Sequence, residues 1–217
     1  MRVVVFGGTG GLGSGISKMF TDEKKYDVKS IGSKDVDITS FENVHSFFTN
    51  NEFDVVINLA GFNFDTFAHK IGMDNYDKIQ RQINTNIMGT INIVSNCLSS
   101  MRKNNFGRII NTSSVLAERP VISTSVYSGC KGFIDSFTKT VALENANKNV
   151  TCNSIQLGYF DGGLTWKIPQ EFRDVLVDQI PTKRLGSISE LFNTINYLIE
   201  TQYVTGTNIK INGGIDF

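Results

Sequence analysis

Apolar positions along this chain fall into two alternating patterns. Short unbroken runs at 2–6, 53–60, 108–113 and 150–155 are rich in β-branched side chains, the mark of strands buried on both faces of a parallel sheet. Weaker runs at 28–31 and 208–211 fit two further strands. Between them, the segments 14–20, 41–48, 74–101, 125–147 and 189–200 carry apolar residues three and four apart and predict helices. Strand alternating with helix predicts an α/β fold: a single-domain, Rossmann-like, doubly wound parallel sheet over residues 1–217, with helices on both faces. In such sheets ligands bind beyond the carboxyl ends of the strands, so the loops that follow the strands are where chemistry is expected.

Composition narrows the partners. With 21 basic and 21 acidic side chains the formal charge is zero, which gives no electrostatic footing for nucleic acid or an anionic membrane and points to a small-molecule ligand. Cys97, Cys130 and Cys152 are widely spaced and lack a CxxC pattern, so reduced thiols in a cytoplasmic protein are expected, with neither a disulfide framework nor a zinc site. His45 and His69 have no metal-spaced partners, and no metal is expected. The first apolar run is too short for a signal-peptide core, and no eighteen-residue apolar stretch follows it.

The first strand leads into Gly7-Gly8-Thr9-Gly10-Gly11-Leu12-Gly13 and then a helix. Glycines here permit a tight turn and let backbone amides meet a pyrophosphate at the helix N-terminus, so the loop predicts dinucleotide binding. Three registers are open: Gly8, Gly10 and Gly13 as GxGxxG, Gly7, Gly10 and Gly13 as GxxGxxG, or Gly7, Gly11 and Gly13 as GxxxGxG. At the end of the second strand, where an acid would read the ribose of NAD, stand Gly32-Ser33-Lys34. A hydroxyl and an ammonium suit a 2′-phosphate, which leans to NADP. Asp35 next door keeps NAD open, and Lys34 also reads as a solvated loop lysine.

Tyr127 and Lys131 share a helix face, and Ser113 and Ser114 close the preceding strand. With these residues on view, the chain resembles the classical short-chain dehydrogenase/reductase family over nearly its whole length, and 3-oxoacyl-carrier-protein reductases within it. The resemblance selects Ser114, thirteen residues before Tyr127. It also rests on Asn58-Leu59-Ala60-Gly61, similar to the Asn-Asn-Ala-Gly segment closing the family's fourth strand, and on Asn86-Ile87-Met88-Gly89. Arg184-Leu185-Gly186, Val204-Thr205-Gly206 and Gly213-Gly214 follow in the family's order.

The resemblance implies Asn86, Ser114, Tyr127 and Lys131 as the catalytic set: Tyr127 as the acid, Ser114 polarising the carbonyl, Lys131 aiding both Tyr127 and the ribose, and Asn86 anchoring a water. Asn84 stands near enough to compete for the last role. A neighbouring ammonium has the sign needed to lower a tyrosine's ordinary value near 10. Gly7, Thr9, Gly10, Gly11, Leu12, Gly13, Ser33, Lys34, Asp37, Ile38, Asn58, Ala60, Gly61 and Gly158, with Tyr127 and Lys131, are the implied coenzyme contacts. Homodimers or homotetramers through the two long helices are implied as well.

Two features depart from the family. No room is left after Lys34 for the helix that usually joins the second and third strands, and Leu157-Gly158-Tyr159-Phe160-Asp161-Gly162 replaces the usual Pro-Gly and nicotinamide-contacting threonine, a role Thr165 could take over. Residues 159–181 are expected as a substrate lid with Trp166, Ile168, Phe172, Leu176 and Ile180 on its apolar side, or else as a segment packed permanently on the sheet. The expected activity is NADP(H)-dependent reduction of a carbonyl: a keto-sugar, a 3-oxoacyl thioester or a small ketone. Two readings compete with it, a non-catalytic dinucleotide-binding sensor or scaffold, and a nucleotide-sugar epimerase or dehydratase, which the GxxGxxG register would allow.

Overall fold

The computed structural model describes residues 1–215. Six parallel strands, β1 (Arg2–Phe6), β2 (Asp27–Ile31), β3 (Val55–Asn58), β4 (Gly107–Ser114), β5 (Val150–Leu157) and β6 (Asn208–Ile211), form one sheet in the order β2-β1-β3-β4-β5-β6. Alternation along each strand sends neighbours to opposite faces. Val4, Phe6, Val56 and Ile109 point into a layer with Val44 and Phe48 of α2 (Phe41–Thr49), Ile93, Val94 and Cys97 of α4 (Gly89–Asn104), and Val141 of α5 (Ser125–Asn145). Val3, Val5, Ile57 and Ile110 point the other way, onto Ile16 and Phe20 of α1 (Gly11–Asp22) and Leu191, Ile195 and Leu198 of α7 (Ile188–Glu200). Both sheet faces are covered, which is why the inner strands read as continuous apolar runs.

The predicted elements stand with two corrections. The segment expected as one helix over 74–101 is helical without interruption over 76–104 but carries a π-helical turn inside it. Asn75 caps a turn by accepting from Gly72 N (3.1 Å), and α3 then spans only Tyr76–Ile83. A π-helical turn, Asn84–Met88, separates α3 from α4. Its extra residue per turn breaks the ordinary helical repeat locally, at a place where such bulges often serve a site.

The second correction concerns the trimmed flank. Because β3 carries the Asn58–Gly61 segment of the family's fourth strand, the family's third strand has no counterpart either, not merely the helix before it. Residues 32–40 form a short irregular connection into α2, and among the described residues no strand pairs with the outer side of β2.

Arg108 shows how the sheet is tied to its surroundings. It is fully buried, donating from Nε to Ile199 O (3.2 Å) and from Nη1 to Gly107 O (2.7 Å) and Asn149 O (2.9 Å), with its guanidinium 4.3 Å over the Phe106 ring. It thus staples the end of α7 and the turn before β5 to β4. Arg108→Leu would take the guanidinium from Ile199 O and Gly107 O and leave Asn149 O with the Gly107 amide alone (3.3 Å), and we expect a loss of about 3 kcal/mol. Urea unfolding would show it as a lower midpoint at unchanged slope.

A capping box starts α7. Ser187 Oγ accepts from Glu190 N (3.3 Å), Ser187 N donates to Glu190 Oε2 (2.8 Å), and Arg184 pairs with Glu190 at 2.6 Å. The Arg184 guanidinium first, then Ser187, hold the Glu190 carboxyl down at about 2. Among the described residues no helix is long and apolar enough to cross a membrane, and no group of three or more His, Cys, Asp or Glu is placed to hold a metal ion.

Candidate active site

A cleft of about 780 Å³ opens at the carboxyl ends of the strands. The glycine-rich loop forms one wall, and packing selects its register. Gly7 has φ +75°, and a Cβ there would lie 2.8 Å from Ala60 N. Gly11 has φ +45°, and a Cβ on Gly13 would fall 2.1 Å from Gly7 O, whereas one on Gly10 would meet nothing within 4 Å. Gly8 is as tightly held, since a Cβ there would fall 2.7 Å from Val5 O, so the protein's own packing demands Gly7, Gly8, Gly11 and Gly13, a set that contains GxxxGxG, while no protein atom demands glycine at Gly10, which both GxGxxG and GxxGxxG would use. Gly10 is also the N-cap of α1 and has no side chain to bond the first-turn amides, so these and the positive end of the helix dipole are left for an anion. Thr9 and Leu12 complete this wall, and the Thr9 hydroxyl packs against Gly32.

At the far end of the cleft the wall is Gly32, Ser33, Val36, Asp37, Ile38 and Thr39. Lys34 is exposed and is not part of that wall. The reason is local: Asp35 Oδ2 accepts from Gly32 N (2.7 Å), closing a turn on which Lys34 projects outward. The same bond gives the Asp35 carboxylate a structural task, and Asp37 spends one oxygen on Thr39 N and Oγ1 (2.9 and 2.8 Å). Asn58 also lies outside the wall. It is buried at the end of β3, donating to Thr90 Oγ1 (3.1 Å) and accepting from Ala60 N (3.2 Å), so it shapes the bend that presents Ala60 and Gly61 to the cleft.

Ser114, Tyr127 and Lys131 meet in the same cleft, which Gly158 also lines. Ser114 ends β4; its Oγ accepts from Leu116 N (3.2 Å), which leaves its proton to be donated elsewhere. Tyr127 and Lys131 lie one turn apart near the start of α5, both buried, with Lys131 Nζ 5.5 Å from the Tyr127 ring centroid. Lys131 Nζ donates to Thr112 O (2.8 Å), and Ser113 Oγ donates to Lys131 O (3.1 Å), fixing that turn of helix on β4.

Asn86 is fully buried in the π-helical turn. Its Nδ2 donates to Phe62 O (2.7 Å) and Gln82 O (2.8 Å), while Oδ1 has no partner among the described residues. That oxygen and Lys131 Nζ both approach Gly61: a Cβ there would lie 3.3 Å from the first and 3.9 Å from the second. A buried acceptor left open beside an ammonium is a place for a bridging water. Asn84, the competing asparagine, is exposed.

The electrostatics correct the expectation for the tyrosine. Burial pushes the Tyr127 phenol well above its ordinary range, and the Asp65 carboxylate and Cys130 add to that. Burial also brings Lys131 down to about 8, against the pull of Cys130 and Asp135. The lysine donates to Thr112 O rather than to the phenol, and burial dominates at Tyr127. Within the protein's own groups Tyr127 is held protonated, which is the form an acid needs.

The opposite wall contains groups that sequence reasoning passed over. Phe62, Asp65, Leu116, Val121 and Tyr159 line it. Asp65 is steadied by Asn63 Nδ2 (3.2 Å), and its loop is tied down by Thr66 N to Ser123 O (2.9 Å). Tyr159 directly follows Gly158, so its place at a strand end was legible; nothing local marked Asp65. In the segment 159–181, Thr165 is buried and lines the cleft, Ile168 lines it too, and Ile180 is buried. Its helix α6 (Gln170–Gln179) has no buried residue, and Trp166 and Phe172, expected on an inward apolar side, are 61% and 60% exposed. Leu176 is half-buried.

A family model described as enoyl-(acyl carrier protein) reductase matches residues 20–216. Nodulation protein G of Azospirillum brasilense is 34% identical over 76% of this chain and 66% of its own length. An acetoacetyl-CoA reductase of Shinella zoogloeoides is 35% identical over 74% of this chain and 67% of its own. The match thus spans about two thirds of these relatives. A solved structure of a small-chain dehydrogenase in complex with NADPH superposes with a TM-score of 0.87 at 24% identity, covering 99% of this chain and 98% of that one.

Proposed function

The chain belongs to the short-chain dehydrogenase/reductase family, and on that premise we propose that it is an NADP(H)-dependent reductase converting a small carbonyl, foremost a short 3-oxoacyl thioester, to an alcohol. The observation that carries this reading is the meeting of Ser114, Tyr127 and Lys131 in one cleft with the glycine-rich loop. The thioester is favoured because a similar protein is named for acetoacetyl-CoA, and the coenzyme because a similar structure holds NADPH.

The residues present fit a dinucleotide. Side chains at Gly7, Gly11 and Gly13 would fill the turn, the uncapped start of α1 offers amides to the pyrophosphate, and Ser33, Asp37 and Ile38 border the adenosine end. Bound there, the reduced coenzyme supplies the hydride. The chain's part is then to hold the carbonyl and return a proton. Ser114 donates its hydroxyl proton in a hydrogen bond to the carbonyl oxygen, drawing charge onto it. Tyr127, held protonated, gives its proton to the alkoxide that forms. Lys131 places a positive charge beside the resulting phenolate and, with a water on Asn86 Oδ1, passes a proton back. Thr165, buried at the cleft wall, takes the place of the family's threonine beside the coenzyme. Residues 159–181 act as the lid, which their loosely packed helix suits, and a second copy docks along α4 and α5.

The test is consumption of NADPH and of NADH with acetoacetyl-CoA, keto-sugars and simple ketones, comparing wild type with Ser114→Ala. Turnover of the thioester with NADPH, reduced about a hundredfold or more in the variant, is the expected result. Tight coenzyme binding with no carbonyl turned over in either direction would overturn the reading in favour of a sensor.

A further inference from the structure

One buried charge lies next to the catalytic helix turn and takes no part in the chemistry above. Asp135 stands one helical turn beyond Lys131, on the same face of α5, and is only 7% exposed. Its two oxygens accept from β5, Oδ1 from Ser154 Oγ (2.8 Å) and Oδ2 from Gln156 Nε2 (2.7 Å). Gln156 Nε2 also donates to Glu118 Oε1 (3.0 Å), and Glu118 pairs with Lys210 on β6 (2.7 Å). Glu118 caps the short turn that follows Ser114. The chain of contacts therefore joins the segment after Ser114, the helix turn after Lys131, and the strand that leads to Gly158.

Both hydrogen-bond donors to Asp135 are neutral, so they solvate its charge without cancelling it. A carboxylate buried in this way is costly unless a cation compensates it. The buried cation within one turn is Lys131, which itself lacks a carboxylate partner among its hydrogen bonds and leans on the Thr112 carbonyl. We propose that Asp135 is a positioning residue for Lys131: its carboxylate, anchored by Ser154 and Gln156, keeps the lysine charged and aimed into the cleft, and ties that turn of α5 to the segment carrying Ser114.

The direction of the electrostatics agrees. Burial lowers Lys131, and Asp135 raises it. The other titratable groups around this corner are Cys130 and Tyr127 on α5, Asp65 from the loop after β3, Tyr159 from the far wall, and Glu118 with its partner Lys210, which reach Asp135 through the shared Gln156 amide; Cys130 also acts on the lysine, and Asp65 and Tyr159 act on Tyr127. Asn86 Oδ1 and the Thr112 carbonyl, the remaining near neighbours, carry no charge.

The proposal rests on the site assigned above but not on its turnover. Lys131 can be titrated in the full chain by the NMR shift of its ε-carbon, identified by its disappearance in Lys131→Met. In wild type the midpoint should fall near 8. Removing the anion removes a raising influence, so in Asp135→Asn the midpoint should drop by about one unit, and the alkaline limb of any reductase activity should move to lower pH with it. Ser154→Ala removes a donor and keeps the charge, so it should leave the midpoint in place. Should the asparagine variant fail to fold, Asp135→Ser, with room for a water, asks the same question. An unchanged midpoint in a folded, neutral variant, or an equal drop in Ser154→Ala, would overturn the proposal. Absence of turnover in wild type would instead overturn the reductase reading and leave this titration decisive.

Discussion

Tyr127→Phe should lower kcat by about 10²- to 10⁴-fold, the span of a lost general acid, with coenzyme affinity little changed. Phenylalanine fills the same buried space, so the fold has no reason to respond. Because burial and Asp65 both hold the proton on Tyr127, reduction should run at full rate through neutral pH and fail on the alkaline side as Lys131 loses its charge near 8. Steady-state kinetics between pH 6 and 10 beside a coenzyme titration would separate the two effects. Equal losses in kcat and in coenzyme binding would point to a collapsed cleft and sink the assignment of Tyr127 as acid.

Gly13→Ala should be the most damaging single methyl in the chain. Its Cβ would stand 2.1 Å from Gly7 O, and backbone cannot move aside as a flexible side chain would. Relief requires α1 to shift away from β1, opening the layer that Ile16 and Phe20 fill. We expect a loss of about 3 kcal/mol or more together with coenzyme binding, because the same shift withdraws the first-turn amides. Gly10→Ala faces open space and should keep the melting temperature of the wild type. Thermal unfolding with and without coenzyme tests the pair. Equal effects at the two positions would mean that the register Gly7, Gly11, Gly13 is mistaken.

What could be read in advance, and what could not, divides along physical lines. Strands β1, β4 and β5 and helices α2, α5 and α7 were legible because each buries a continuous run or a regular stripe, and burial imposes that pattern on sequence. Tyr127 and Lys131 were legible for the same reason, four residues apart on one helix. Asn86 was found, but its π-helical turn was not, since one extra residue leaves no mark in an apolar period already interrupted by Asn84 and Thr85. Asn58 was assigned to the coenzyme from the family resemblance and Lys34 from its charge at the end of β2; in the structure the Asn58 side chain bonds Thr90, and the Gly32–Asp35 turn leaves Lys34 exposed, contacts that no local pattern announces. Asp65 and Asp135 owe their surroundings to residues distant in sequence, and no local rule would have singled them out.

The missing third strand has a consequence for the behaviour of this protein in concentrated solution. Among the described residues it leaves β2 as a margin of the sheet, where amides and carbonyls facing outward could recruit a strand from another molecule. The five residues there are Asp27-Val28-Lys29-Ser30-Ile31, a short stretch carrying both signs of charge, with Lys29 held across to Asn51 (2.9 Å) and over the Phe47 ring. A stacked fibril would have to bury those charges in register, like against like. Shortening the fold thus exposed an adhesive border and left it with its own deterrent against aggregation.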